Sequence, residues 1–471
     1  MTAQVLELNL SNNKTVILFM TKLVPQIGLK AATFLVVSVI VGSGVFKKIA
    51  PMSAVLGSPS LVILCWILAG LISLAGALST AEMASMFPNS GGEYFYFQKV
   101  YGRFFAFLYG WGNFTVLRTA AIAALSYIFA ESLMGLFPAT GIGFTLSVKL
   151  VASLLIVFLS FLNYRGVVFA AGLSKILTFL MFAGVITFLV FGFSSSAGSI
   201  QNLTHKSSHF NHTTLDGWGI VKAMTIASLG AFWGYDGWNN IGFIGEEIRN
   251  PKRNLPLALG MGTGIVMLIY VSLNIVFAYT LPIDYFMGLH NTPDKIAAVE
   301  VAGHLIGKPG MFFVSILILV TTLNATNSSV LMSARMFYAM SRDQLFFKKA
   351  ASVHPVYKTP DIALLLQGTW SIILVWSGSF DQLTDMLVFA SFMYYGSTAV
   401  GVIILRIKQP GLERKYRVWG YPFVPVIFCL FCILLFVITI FNQPRESLSG
   451  LSLIAAGIPF YWVFKKNAGG K

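Results

Sequence analysis

The stretch LKAATFLVVSVIVGSGVFKKI, residues 29–49, decides the fold. It is almost wholly apolar, carries Gly42-Ser43-Gly44 about 13 residues in, and closes on Lys47-Lys48. About 20 apolar residues cross the hydrocarbon of a bilayer as a helix. Within hydrocarbon every backbone N–H and C=O has to be hydrogen-bonded, so unwound chain at mid-depth is tolerated only where it lines a cavity or is buried in protein. The run therefore predicts a transmembrane helix interrupted near its middle.

Composition extends this reading to the whole chain. The 471 residues are 56% hydrophobic, 14% aromatic and 10% charged, with a mean hydropathy of +0.77. A soluble chain is about 45–50% apolar and about 25% charged, so both a water-soluble globule and a disordered chain are excluded. Twelve apolar stretches can be counted, at about 29–49, 60–86, 102–134, 145–163, 172–193, 218–245, 256–281, 309–339, 360–378, 382–406, 422–441 and 448–464. They describe an all-α membrane protein with 12 transmembrane helices, embedded in a lipid bilayer.

The 32 basic residues outnumber the 17 acidic ones, for a net charge of +15. On a soluble chain that excess would point to nucleic acid. Here the basic residues sit in short links between apolar runs: 21 fall in the N-terminal segment and alternate links, and 8 in the opposite links. The positive-inside rule explains this split. It places both termini in the cytoplasm and removes the case for a nucleic-acid partner; the cell membrane is the expected location. Cys65, Cys429 and Cys432 all lie inside apolar runs, with neither a disulfide framework nor metal-ligand spacing, so no cofactor or metal is expected. Residues 1–28 hold only a short apolar patch, Val16 to Met20, and no small-residue cleavage site. They read as a cytoplasmic segment rather than a signal peptide.

The sixth stretch is also glycine-rich at its middle, with Gly230, Gly234 and Gly237. It lies about 190 residues and five spans after the first. Five is odd, so a second copy of a five-span unit enters the membrane from the other side. The expectation is an inverted repeat of helices 1–5 (29–193) and helices 6–10 (218–406), followed by helices 11–12 (422–464) and a cytoplasmic C-terminus (465–471). Paired interrupted spans at matching positions of two halves point to a transporter site, although glycines also simply let helices approach each other.

Breaking the first span at Gly42-Ser43-Gly44 frees amide N–H groups at the start of the next half-helix, which suit a carboxylate. In the sixth span, Phe232-Trp233-Gly234-Tyr235-Asp236-Gly237-Trp238-Asn239 offers free carbonyls to an ammonium group. Together they describe a receptor for the backbone of an α-amino acid. Asp236 is the one acidic residue near the middle of a span. It either pairs with a neighbouring donor or attracts a cationic side chain or a proton, since intramembrane charges serve both ends. Lys175, near the start of the fifth span, either snorkels to the interface or occupies the place of a sodium ion between the first and eighth spans. Arg118, midway along the third run, reads as an interhelical structural pair. Trp233 beside the break could pack or close over a ligand as a gate.

The runs GSGVF (Gly42 to Phe46), YDGWNN (Tyr235 to Asn240), GEEIRNPKRNLPLAL (Gly245 to Leu259), FPNSGGEYFY (Phe87 to Tyr96) and RKYRVWGYPFVP (Arg414 to Pro425) resemble L-type amino acid transporters of the amino acid–polyamine–organocation superfamily. The resemblance covers about residues 28–465. It implies a five-plus-five inverted repeat with discontinuous helices 1 and 6, and a substrate held by Ile40, Val41, Gly42, Ser43 and Gly44 against Trp233, Gly234, Tyr235, Asp236 and Asn239. It puts Trp233 at the aromatic gate. It matches Lys175 to the lysine that replaces sodium, with Ser328 or Ser329 as its partner, and Asp236 to an acidic position in members that also take cationic amino acids. Animal members bind a glycoprotein through a cysteine after the third span. The corresponding link here, Leu136 to Val148, has none, so no disulfide-linked heavy subunit is expected.

These readings converge on a sodium-independent antiporter of neutral and cationic L-amino acids working by alternating access, with proton-coupled symport in the same fold as the alternative. An intramembrane enzyme using Ser43 would need a base within reach, and all six histidines fall in links. A channel would show filter repeats or charged rings, and neither is visible.

Overall fold

The computed structural model describes residues 4–8, 16–20, 27–88, 91–137, 143–211, 215–292 and 295–469. Most of the expected N-terminal segment, residues 138–142 of the link that would carry a heavy-subunit cysteine, and Asn89-Ser90 lie outside the described residues. Two short strands, β1 (Gln4–Leu8) and β2 (Val16–Met20), pair antiparallel. The rest is helical.

The first rod consists of α1 (Leu29–Ile40), α2 (Gly44–Lys47) and α3 (Ile49–Leu56). Val41 leaves the helix at φ −71°, ψ 91°, so the chain unwinds where the glycine pair predicts. After it come α4 (Pro59–Met86), the short α5 (Glu93–Val100), and α6 (Arg103–Gly112), which runs through a π turn at Asn113–Leu117 into α7 (Arg118–Leu136). Next are α8 (Phe144–Arg165) and α9 (Val167–Ser194). The sixth stretch differs from a single span: α10 (Trp218–Tyr235) stops at Asp236, which is extended at ψ 151°, and Gly237 turns at φ +106° into a 3-10 segment, Trp238–Glu247. That positive φ is where glycine is required.

The second half continues with α11 (Pro251–Thr280), two short helices α12 (Ile283–Leu289) and α13 (Ala297–Ile306), then α14 (Lys308–Arg342), α15 (Asp361–Ser377) and α16 (Phe380–Lys408). The chain closes with α17 (Phe423–Asn442), α18 (Pro444–Ala455) and α19 (Gly457–Gly469). Among the described residues, ten helical segments are long and apolar enough to cross a membrane. The other two expected stretches give α10, at 18 residues, and α15, at 17.

The core forms where the halves exchange partners. α1 packs on α11, and α10 packs on α4. α9 lies on α14, while α16 lies on α7; α4 pairs with α11, α7 with α14, and α8 with α15. Polar side chains buried in these contacts bond mainly to the preceding helical turn, as Thr33, Ser79, Thr322 and Thr326 do to carbonyls three or four residues back. This satisfies groups that lipid would leave unpaired.

Candidate functional site

The two interruptions meet. A methyl group added at Gly44 would lie 2.5 Å from the Cα of Gly234 and 2.8 Å from its nitrogen, so the breaks touch backbone to backbone. On the other side of Gly234 a methyl would come within 2.9 Å of the Trp66 ring. Only glycine permits this approach. The freed carbonyls share one donor: the Tyr270 hydroxyl, from α11, lies 2.9 Å from the Ile40 oxygen and 3.0 Å from the Gly234 oxygen. Trp233 donates its indole N–H to Ser43 Oγ at 3.2 Å, and its ring stands edge-on to Phe380 at 6.0 Å. Among the described residues no backbone carbonyl outside the helices accepts from the amides of Ser43 or Val45, the kind of orphan donor expected at a helix start.

Beside the junction is a cavity of about 30 Å³, bordered by Ile40, Gly42, Ser43 and Gly44 from the first break and by Trp233, Asp236, Gly237 and Asn240 from the second. Arg118, Leu125 and Ser329 also border it, with Val39 and Ala121. A single water needs about 10–15 Å³ on this measure. The space is therefore of water size, and an amino acid enters only if the walls part. This is a closed form of the site.

Below the second break the polar groups form one network. Tyr395 donates to Asp236 at 2.6 Å, and Arg118 lies 3.9 Å from the other Asp236 oxygen. Arg118 also donates to Asn239 (3.1 Å) and Asn113 (3.3 Å). Asn239 in turn donates to Glu93 at 2.7 Å, and the same carboxylate accepts from Tyr109 and Thr398. A π turn, a geometry that recurs at functional sites, immediately precedes Arg118.

On the far side of the junction the first rod is fastened by two lysines. Lys47 pairs with Glu131 at 2.5 Å. Lys48, 2% exposed, reaches Asp381 at 2.6 Å, Thr384 at 2.8 Å and Asp385 at 3.6 Å. Both ammonium groups flank the Phe380 ring, at 5.2 and 4.9 Å.

Several expected site residues sit elsewhere. Val41 is buried behind the break, and Tyr235 turns toward α4, donating to the Trp66 carbonyl at 3.1 Å. Gly234 serves as a contact surface, and Asn239 links Arg118 to Glu93. Ser329 borders the cavity; Ser328 is buried without bordering it. Lys175 belongs to α9. It lies on the exposed face of α9, while its neighbour Ser174 accepts from Asn327 of α14 at 3.0 Å and Thr178 accepts from Asn324 at 3.0 Å. Positions four apart share a helix face. The Ser174–Thr178 face therefore meets α14, and Lys175, one residue on, is exposed. The reading of Arg118 as part of a buried pair agrees with its 3.9 Å contact to Asp236, but it also borders the cavity. Sequence reasoning missed Tyr270, Tyr395 and Glu93. The first two are ordinary tyrosines in apolar runs. Glu93 was visible only within the quoted FPNSGGEYFY motif.

Two broken helical rods meeting at a small polar cavity inside a helical membrane protein define a secondary transporter. The amino acid permease family profile matches residues 27–464. The serine/threonine exchanger SteT of Bacillus subtilis (strain 168) is 30% identical over 94% of this chain and 97% of its own length. The b(0,+)-type amino acid transporter 1 of Mus musculus is 28% identical over 94% and 88%, and the cystine/glutamate transporter of Homo sapiens 26% identical over 91% and 83%. The chain belongs to the amino acid permease family, as an L-type amino acid transporter; these are transporters, not enzymes.

Proposed function

We propose that the chain is a sodium-independent antiporter of neutral and cationic L-amino acids in the cell membrane, with both termini cytoplasmic and no disulfide-linked heavy subunit. The observation that carries this reading is the junction itself, where Gly44 and Gly234 touch beside a cavity that includes Ser43, Trp233, Asp236 and Arg118. The amides from Ser43 to Val45 take the substrate carboxylate. The Ile40 and Gly234 carbonyls, released from Tyr270, take its ammonium. Trp233 is the gate, and its bond to Ser43 is part of the closed form. Asp236 selects side chains: a cationic one displaces Arg118 as its counter-ion, while a neutral one leaves that pair in place.

Twelve spans in a five-plus-five inverted repeat fit the partner exchange described above, α1 with α11 and α10 with α4. The relatives named as exchangers or amino acid transporters support the antiport assignment. Sodium independence does not rest on Lys175 here; it rests on the resemblance as a whole. Proton-coupled symport is the second reading, favoured by two carboxylates, the buried Glu93 and the partly exposed Asp236, joined through Asn239 and Tyr395.

Counterflow in proteoliposomes without sodium separates the two. Antiport requires an unlabelled amino acid inside the vesicle and ignores an imposed pH gradient. Uptake into empty vesicles driven by that gradient would overturn the antiport assignment.

A further inference from the structure

A second cavity, about 480 Å³, opens at the ends of several helices on the C-terminal face of the protein. Its floor is apolar. Phe346 is buried, the Phe347 ring stands edge-on at 5.0 Å from Phe346 and 5.5 Å from Phe464, and Ile362 and Leu366 of α15 complete the bed. Its rim is basic. Lys348 and Lys349, in a 3-10 turn after α14, are exposed, and among the described residues neither joins an ion pair.

The location fixes the surroundings of this pocket. Lys308–Arg342 and Pro444–Lys466 are both of membrane-crossing length, and both end beside it. It therefore lies at the depth where hydrocarbon gives way to headgroups, a zone that favours aromatic and basic side chains together. A free anion would satisfy the lysines and leave the aromatic bed unused. A purely apolar ligand would do the reverse. One molecule with an anionic phosphate and an acyl chain satisfies both.

We propose that this pocket binds an anionic phospholipid, with its phosphate between Lys348 and Lys349 and an acyl chain along Phe347, Leu366 and Phe464. Basic pockets between membrane helices on the cytoplasmic side recognise such headgroups, at about 1 kcal/mol, or about fivefold in affinity, per lysine. Assigning the site to the inner leaflet rests on the orientation proposed above; the binding itself does not.

The test is native mass spectrometry of the full chain released from detergent after titration with phosphatidylglycerol or phosphatidylcholine. The parent chain should retain phosphatidylglycerol in preference to phosphatidylcholine. The Lys348→Gln/Lys349→Gln variant should lose about 25-fold in phosphatidylglycerol affinity, and Lys348→Arg/Lys349→Arg should keep it. Leu366→Ser should weaken the lipid adduct as well. Equal retention of the two lipids, or an unchanged adduct in the glutamine variant, overturns the proposal. Displacement of the lipid by millimolar inorganic phosphate also overturns it, because a free anion would then be the ligand. Transport is not the readout, so failure here leaves the exchange reading standing.

Discussion

Alanine at Gly44 tests whether the two interruptions must touch for the protein to work. The added methyl would sit 2.5 Å from the Gly234 Cα, where ordinary contacts are 3.4 Å or more. The obstacle is backbone, so no rotamer change relieves it, and the rods have to separate by roughly 1 Å. Overpacking of this kind costs about 1–3 kcal/mol, and the cost falls on the closed form alone. At about 2 kcal/mol the closed form loses roughly thirtyfold in population relative to open forms. An exchanger passes through that form in every cycle, so counterflow should slow by a comparable factor. Gly42→Ala is the matched control. Its methyl meets the Leu125 Cδ2 at 3.2 Å, the movable end of a side chain. A displaced rotamer costs about 0.5–1.5 kcal/mol, or roughly two- to twelvefold, which is less than the thirtyfold expected at Gly44. The assay is initial counterflow of a labelled amino acid that the parent chain carries, normalised to inserted protein. Equal rates for the two variants, or a Gly44→Ala rate matching the parent, would refute the reasoning.

Asp236→Asn should weaken competition by arginine or lysine by about tenfold or more, the scale of a charge-assisted hydrogen bond; equal losses for leucine and alanine would remove Asp236 from side-chain selection. Trp233→Phe keeps the ring against Phe380 but loses the bond to Ser43, worth about 0.5–1.5 kcal/mol. Turnover should change while expression does not, and unchanged kinetics would show that only the ring matters. Lys48→Met leaves Asp381 and Asp385 facing each other. Removing one partner of a buried pair costs about 3–5 kcal/mol, less here because Asp381 is 47% exposed and solvent screens it. A cysteine placed at Ser43 should then react faster with an impermeant thiol reagent added from outside, and an unaltered labelling rate would sink the idea that Lys48 fastens that side. Ser43→Leu should abolish uptake while insertion into the membrane persists; normal uptake would place the substrate elsewhere.

The helix breaks were legible because lipid makes unwound backbone costly, so glycine clusters at matching positions of two five-span units, Gly42-Ser43-Gly44 and Gly234 to Gly237, mark a site more strongly than close helix packing alone would. What the sequence could not supply was rotation. Lys175 and Ser174 are adjacent, yet about 100° apart around a helix of 3.6 residues per turn, and only the pairing of Ser174 and Thr178 with Asn327 and Asn324 decides which of them faces α14. Tyr270 was hidden for a different reason. Its role depends on two carbonyls some 230 and 36 residues away in the chain, a coincidence that no local pattern announces. Arg118 sits between these cases: its charge at mid-span marked it, but its partners Asp236 and Asn239 come from another element.

Because α1 leans on α11 while α10 leans on α4, the polypeptide is knitted across its own midpoint. Neither portion made alone would cover its own apolar flanks. Cutting the chain within the connection between α9 and α10 should therefore yield two fragments that recover activity only when produced together, each acting as the other's chaperone.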